Sequence, residues 1–545
     1  MNRTKILLFT ALVLAGVSSC KKELDVQNPN QPTPASASTE TGILSLAMGG
    51  VYASGFRELK YSDGVPGFFW TGAVGAHELM GDALGEEAAN QFGNQFSCPD
   101  YVIFDDNTKL LNPSAPNTQI ALMRAVNNNA LAGQNPTYYE WAYMYNMNGV
   151  LNNVLELVEN VPFTGDAAVK KNTVKAWCYF WKGFAYSRIG SMYYAGLIND
   201  KFAETNGIYV TKEKIIEEAA KNLDQAVALL TPLSGNATFK ATLESIIPKF
   251  MQVKGTLSEA PTADEWKRTI NTLKARNILV NTTTKAMTAA QWGQILTLTT
   301  DGVKVADKVF TARSNTNADV ISTDVGSLAA KSTGEPGAVT YKISERLIQD
   351  FPVGDKRLDN NLAKTTPWIG DPSRGIVFNT RYRLLNGGAG LAGVVVLSNR
   401  AVGAYELLLS STFEENELMK AEAKLYTGDI AGALASIDAV RKFQGAGLPV
   451  LAGLALDAAK EELRKERRVG LFLRGLSFYD ARRWGVIDDI SKGGGRTNAV
   501  VVDKAGKVNT KATINYNYLD YWDVPDNELA YNPPASGSAP TKNPK

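Results

Sequence analysis

Leu418–Arg441 reads LMKAEAKLYTGDIAGALASIDAVR, and the spacing of its apolar residues decides the fold. Leu418, Ala421, Glu422 and Leu425 follow one another at helical intervals, and Ala433, Leu434, Ile437 and Val440 do so again after Gly428-Asp429. Each run carries the i, i+3, i+4 recurrence of a helix with one buried face. Small residues fall where the two helices would cross, and a glycine turn joins them. The stretch is therefore a short antiparallel helix pair.

The same recurrence appears upstream. Trp141, Tyr145, Leu151, Leu155 and Val158 make one stripe, closed by Gly165. Ala176, Phe180, Phe184 and Ile189 make the next, and Ile215, Ala219, Leu223, Ala226 and Leu230 a third, stopped before Pro232. Helix pairs of this kind look like tetratricopeptide hairpins, although the sequence keeps no strict period. The expected fold is mostly α: tetratricopeptide-like helix pairs over about 137–310 and 403–485 form a scaffold. Loop-rich subregions at 61–130 and 311–400, with few short strands, carry the ligand surface, all within a single domain at 41–545. Long irregular segments in a compact protein are commonly functional.

The start of the chain reads as an export signal. Arg3 and Lys5 precede an apolar run from Ile6 to Val17, shorter than the roughly 20 residues that span a bilayer core. A cleaved signal over 1–19 is expected. Val17-Ser18-Ser19-Cys20 resembles the bacterial lipobox, in which Cys20 becomes the lipid-bearing N-terminus. Residues 20–40, with Pro29, Pro32 and Pro34 among polar residues, make a flexible tether.

Composition excludes several functions. A formal net charge of +2 supplies no basic field for nucleic acid. His77 is the single histidine of the chain, which argues against histidine-based triads and multi-histidine metal sites. It lies in Ala76-His77-Glu78-Leu79, an early helix, as a structural residue. Cys98 and Cys178 lack the paired spacing of a zinc site. A bond between them is open, yet Cys178 sits within an apolar helical stretch, as a small core residue does. No catalytic residue, metal or cofactor is expected.

Four stretches resemble the SusD/RagB family of outer-membrane nutrient-binding lipoproteins from Bacteroidetes. They are Glu417 to Arg441; Glu461 to Gly485 (EELRKERRVGLFLRGLSFYDARRWG); Phe351 to Leu358 with its Gly354-Asp355-Lys356-Arg357; and Tyr521 to Pro533 (YWDVPDNELAYNP). Fainter similarity lies at Trp141, Tyr145 and Asn152, at Leu223-Asp224, and at Leu273, Ala275 and Arg276. Val469-Gly470-Leu471 departs from the family, which more often has a glutamate before the leucine. The resemblance implies a lipid-anchored protein at the cell surface. It would bind oligosaccharides, or peptides in some members, and deliver them to a SusC-type TonB-dependent transporter. Within the Glu466-Arg467-Arg468 box the three side chains fall on successive helix faces, so at least one charge must turn inward and find a partner. Arg482, Arg483 and Trp484 are expected to end the following helix by stacking and pairing, with Gly485 as its stop.

The family's ligand residues lie in variable loops, so the candidates here come from chemistry. Sugars present apolar faces edged with hydroxyls, which call for exposed rings beside amides and carboxylates. Phe69 and Trp70 close one loop with that composition. A second loop carries Asp82, Asn90, Gln91, Phe92 and Asn94. Trp368, in Pro367-Trp368-Ile369-Gly370-Asp371, is expected at an outward tip. For each ring the alternative is core packing beneath a loop. A glycosidase with two carboxylates and a ligand-free adaptor are the rival classes, and no residue pair singles out the former.

Overall fold

The computed structural model describes residues 37–53, 55, 70, 74–86, 92–113, 116–204, 206–248, 260–313, 341–371, 379–399 and 406–545. Phe69, Asn90, Gln91 and Cys20 lie outside them. The architecture is mostly helical with short strands. Among the described residues no helix is long and apolar enough to cross a membrane.

The helix Ala167–Met192 is the axis of the first helical block. Asp166 starts it by accepting the Val169 N–H at 3.2 Å, and the helix is buried along nearly its whole second half. It lies between Pro136–Leu157, which begins with a proline where no N–H partner is needed, and Lys212–Leu230. Two glycines set the close approach to Lys212–Leu230. A Cβ on Gly183 would come within 2.7 Å of Leu223, and one on Gly190 within 2.9 Å of Ile216. Trp177, Phe180 and Trp181 project into a ring cluster with Trp266 and Phe310, mostly edge-to-face at centroid distances of 4.9–6.2 Å.

The helix pair expected at 418–441 is present as Phe413–Thr427 and Ile430–Phe443. Gly428, at φ +94°, makes the left-handed turn, and Asp429 caps the second helix by accepting the Gly432 N–H at 2.8 Å. Ala263–Val280 joins the two blocks. It opens with a Thr262/Glu265 capping box, and its Arg276 reaches Glu415 of the later pair at 2.5 Å through both Nε and Nη2.

Leu456–Gly470 then packs on that pair, and its charged box is more deeply set than spacing alone implies. Glu466, Arg467 and Arg468 are 1%, 2% and 7% exposed, so all three turn inward. Glu466 accepts from Arg357 at 2.6 and 3.0 Å and from Arg441 at 2.9 Å. Arg467 pairs with Asp480 at 2.9 and 3.0 Å. Arg468 binds Asp350 and donates to the carbonyls of Gly81 and Asp82. Gly470 lies against this cluster; a Cβ there would meet the Glu466 carboxylate at 2.9 Å, and its carbonyl takes the Gln444 amide. Ser477–Arg483 ends as expected. Arg482 stacks on Tyr521 at 3.9 Å, Arg483 on Trp484 at 4.5 Å, and Gly485 has φ +76°.

The subregions expected to be loops hold short elements. Val74–Met80, Gln119–Val126, Glu345–Asp350 and Lys356–Asn361 are helices, each of eight residues or fewer. Strands Arg496–Val502, Val508–Asn515, Tyr101–Ile103 and Lys109–Leu111 form one antiparallel sheet in that order. Leu84–Glu86 pairs with Tyr341–Ile343, and Leu362–Trp368 with Thr380–Leu384. Elements of three to eight residues leave too few periods to register in sequence, and most of their partners are remote.

His77 is fully buried in Val74–Met80, with Nε2 at 3.0 Å from Glu140 and 3.2 Å from Arg188. Burial holds its pKa below the ordinary value against the pull of Glu140. Cys98 and Cys178 are both buried free thiols, so they are not bonded to each other.

Candidate functional site

The candidate surface is built on two strand pairs. Gly85 lies opposite Lys342 in the first pair, and Trp368 opposite Thr380 in the second. Lys342 is fully buried, and its Nζ lies 4.4 Å from the centre of the Trp368 ring. The indole therefore roofs a lysine from the strand that holds the 84–86 segment, a cation–π contact made largely out of water. Trp368 itself is only half-buried, and Lys364, Thr365, Thr366 and Pro367 before it are exposed, as is Asp371 after it.

Buried ion pairs fix these strands. Glu345 accepts from the Arg381 side chain at 3.1 and 2.8 Å and from its backbone N–H at 2.6 Å, tying the 341–350 segment to the 380–384 strand. Asn379 accepts the Gly370 N–H at 2.8 Å and donates to the Val502 carbonyl at 2.9 Å, which leans the hairpin against the 496–502 strand. A ring held in this way, beside threonine hydroxyls and a carboxylate, has the chemistry to stack on a sugar face and meet its hydroxyls.

The structure separates the sequence candidates. Trp70 is 3% exposed; its Nε1 donates to the Val51 carbonyl at 3.2 Å, and its ring packs on Trp181 and Phe184 at 5.7 and 5.5 Å. It is a core residue and not an exposed platform, because the long central helix presents an aromatic face for it to complete. Asp82 is also corrected. It is buried, and Arg346 holds it in a fork at 2.9 and 2.6 Å while Ser344 and Tyr516 donate at 3.0 and 2.5 Å. Burial pushes its carboxyl up, and the Arg346 guanidinium more than reverses this, holding it well below the usual carboxylate range. Asn94 is 3% exposed and is likewise withdrawn from solvent. Phe92 keeps partial exposure in a left-handed conformation at φ +58°. Glu86 fills the space that a side chain on Gly93 would take, which folds the second loop onto the 84–86 strand. Trp368 and Phe92 are thus the described candidates that reach the surface.

Lys342 and Arg381 escaped sequence reading. Each sits in a three- to five-residue strand whose partner is not its chain neighbour, and only the alternation Tyr341-Lys342-Ile343 hints at an inward lysine. Among the described residues no group of three or more His, Cys, Asp or Glu side chains could hold a metal ion.

Residues 417–539 match the model of the SusD family. Comparison with curated proteins finds no match. Among solved structures, the chain is similar to a SusD superfamily protein of Parabacteroides distasonis, with TM-score 0.56 and 13% identity over 92% of this chain and 98% of that one. It is similar to SusD-like carbohydrate binding proteins of Bacteroides fragilis (0.54, 14%, 85% and 99%) and Bacteroides vulgatus (0.53, 13%, 92% and 98%). At these identities the likeness is one of fold, and it extends well beyond the matched segment. Residues 417–539 thus carry the C-terminal pattern of the SusD family, and the helical scaffold around them is folded as in these proteins.

Proposed function

We propose that this protein binds oligosaccharides at the cell surface by stacking on Trp368 and hands them to a SusC-type TonB-dependent transporter without turning them over. Lipid on Cys20 would hold it to the outer membrane. The observation that carries the binding reading is the half-buried Trp368 ring, backed by Lys342 at 4.4 Å and flanked by exposed Thr365, Thr366 and Asp371. The carbohydrate-binding description of the similar Bacteroides proteins supports the choice of ligand.

Native affinity electrophoresis of the soluble C20S chain against plant, host and microbial polysaccharides tests it. One polymer is expected to retard the protein. Trp368→Ala should weaken that binding by about 2 kcal/mol, roughly 30-fold, as loss of an anchoring tryptophan does. Retardation that survives Trp368→Ala refutes the location, and no retardation by any polymer refutes the glycan. Release of shorter sugars from the retarding polymer would overturn the non-enzymatic reading.

A further inference from the structure

A pocket of about 370 Å³ shares no residue with the Trp368 surface. The 303–309 segment, the 393–397 turn, the start of Phe413–Thr427 and the end of Ile430–Phe443 enclose it. Val303, Val305, Val309, Phe413 and Phe443 supply apolar walls. Phe413 and Phe443 meet edge-to-face at 5.1 Å, and Val305 and Phe443 remain 56% and 41% exposed. Apolar side chains left wet around a concavity of this size are characteristic of a ligand site.

Arg474 gives the pocket its polarity. Its side chain is 14% exposed, and its Nε is buried with no hydrogen-bond partner. Glu414, an acid of the lining, stands 3.9 Å away and accepts a long 3.4 Å bond from Gln444. The other acid of the lining, Asp307, is already held by Arg268 through two bonds of 2.6 Å. With Asp307 neutralised, Arg474 and Lys304 outnumber Glu414 in the lining.

The backbone that presents Arg474 is itself unusual. Leu473, a bulky buried residue, has φ +62°, and Gly475 has φ +69°. Strain at a non-glycine residue persists where the surroundings impose it and concentrates at functional sites. Glu78 braces this turn, accepting the Gly475 N–H at 2.8 Å.

We propose that this pocket binds a mid-length amphipathic carboxylate, with its apolar body between the valines and Phe413 and Phe443 and its carboxylate on Arg474. A neutral ligand would leave the guanidinium under-paired, and a small hydrophilic anion would leave the walls wet. The two requirements together select an apolar acid.

Calorimetric titration of the soluble C20S chain with decanoate, and with decanol as the uncharged counterpart, tests the assignment. Decanoate should bind one-to-one and decanol at least about tenfold more weakly, since the difference is one charge-assisted contact. Arg474→Gln should remove that preference. Val305→Asp places a negative charge on the exposed rim, where folding is not at stake, and should weaken decanoate by a similar factor. Polysaccharide retardation should be unchanged in both variants, which separates this site from the Trp368 surface. The proposal is overturned if decanoate does not bind, if decanol binds equally well, or if Val305→Asp binds decanoate as tightly as the parent.

Discussion

Glu466→Ala is the sharpest test of what holds the C-terminal helices to the rest of the chain. Glu466 is 1% exposed and receives three bonds, at 2.6 and 3.0 Å from Arg357 and 2.9 Å from Arg441. Truncation strands two guanidinium groups whose side chains are 2% and 5% exposed. Removing one partner of a buried ionic group costs about 3–5 kcal/mol. Each arginine keeps a second carboxylate, Asp355 for Arg357 and Glu462 for Arg441, so the lower end of that range applies, about 3 kcal/mol. With an unfolding slope of about 3 kcal/mol per molar urea, the midpoint should fall by about 1 M. Glu466→Gln keeps the shape and one acceptor oxygen but turns an amide NH₂ toward a guanidinium, and should lose somewhat less. Because the cluster is buried, both shifts should persist when salt is raised from about 0.05 to 0.5 M, which would erase a surface pair. A midpoint shift below about 0.2 M, or one that salt abolishes, would refute the keystone role of this carboxylate.

Gly183→Ala and Gly293→Ala should move stability in opposite directions, although both glycines lie within helices. A methyl group at 183 meets Leu223 at 2.7 Å and the Ala219 carbonyl at 3.2 Å, and overpacking there should cost about 1–3 kcal/mol. At 293 nothing lies within 4 Å, so the helix propensity of alanine should add about 0.5–1 kcal/mol; equal signs in chemical unfolding would contradict the packing. Glu78 supplies a pH dependence. Burial pushes its carboxyl up to about 7, whereas an unfolded glutamate titrates near 4.3. Its contribution is therefore complete below about pH 4 and is lost as pH rises through 7, on the order of 4 kcal/mol in all. Glu78→Gln mimics the neutral acid and should flatten the stability profile over that window; an unchanged slope between parent and variant would show that Glu78 is not the titrating group.

The helix pair at 413–443 was readable because its signals are local. Apolar residues recur at helical steps, and Gly428-Asp429 both stop and restart the helix within two positions. The charged box was half-readable. Helical spacing requires that one of Glu466, Arg467 and Arg468 turn inward, but the partners that admit all three come from Arg357, Asp480 and Asp350, at separations from 13 to 118 residues. Trp70 and Trp368 show where sequence reading stops. Both were candidates for an exposed ring, and local composition does not separate them. What separates them is Trp181 and Phe184 waiting beneath the first and Lys342 beneath the second.

The ionic clusters also bear on how the candidate surface would bind. Arg468 takes the carbonyls of Gly81 and Asp82, and Asp82 in turn clamps Ser344 and Arg346 just past the Lys342 strand. Glu345, between those two residues, holds Arg381 in the strand opposite Trp368. The platform is therefore connected to the helical scaffold through buried charge-assisted bonds. A ring fixed in this way loses little conformational freedom on meeting a ligand, so affinity depends on the fit of the surface more than on the cost of ordering it. It follows that Arg346→Met, which removes the fork on Asp82, should weaken polysaccharide retardation by loosening the strand pair. Retardation equal to the parent in a folded Arg346→Met chain would show that the Trp368 surface orders itself without this anchor.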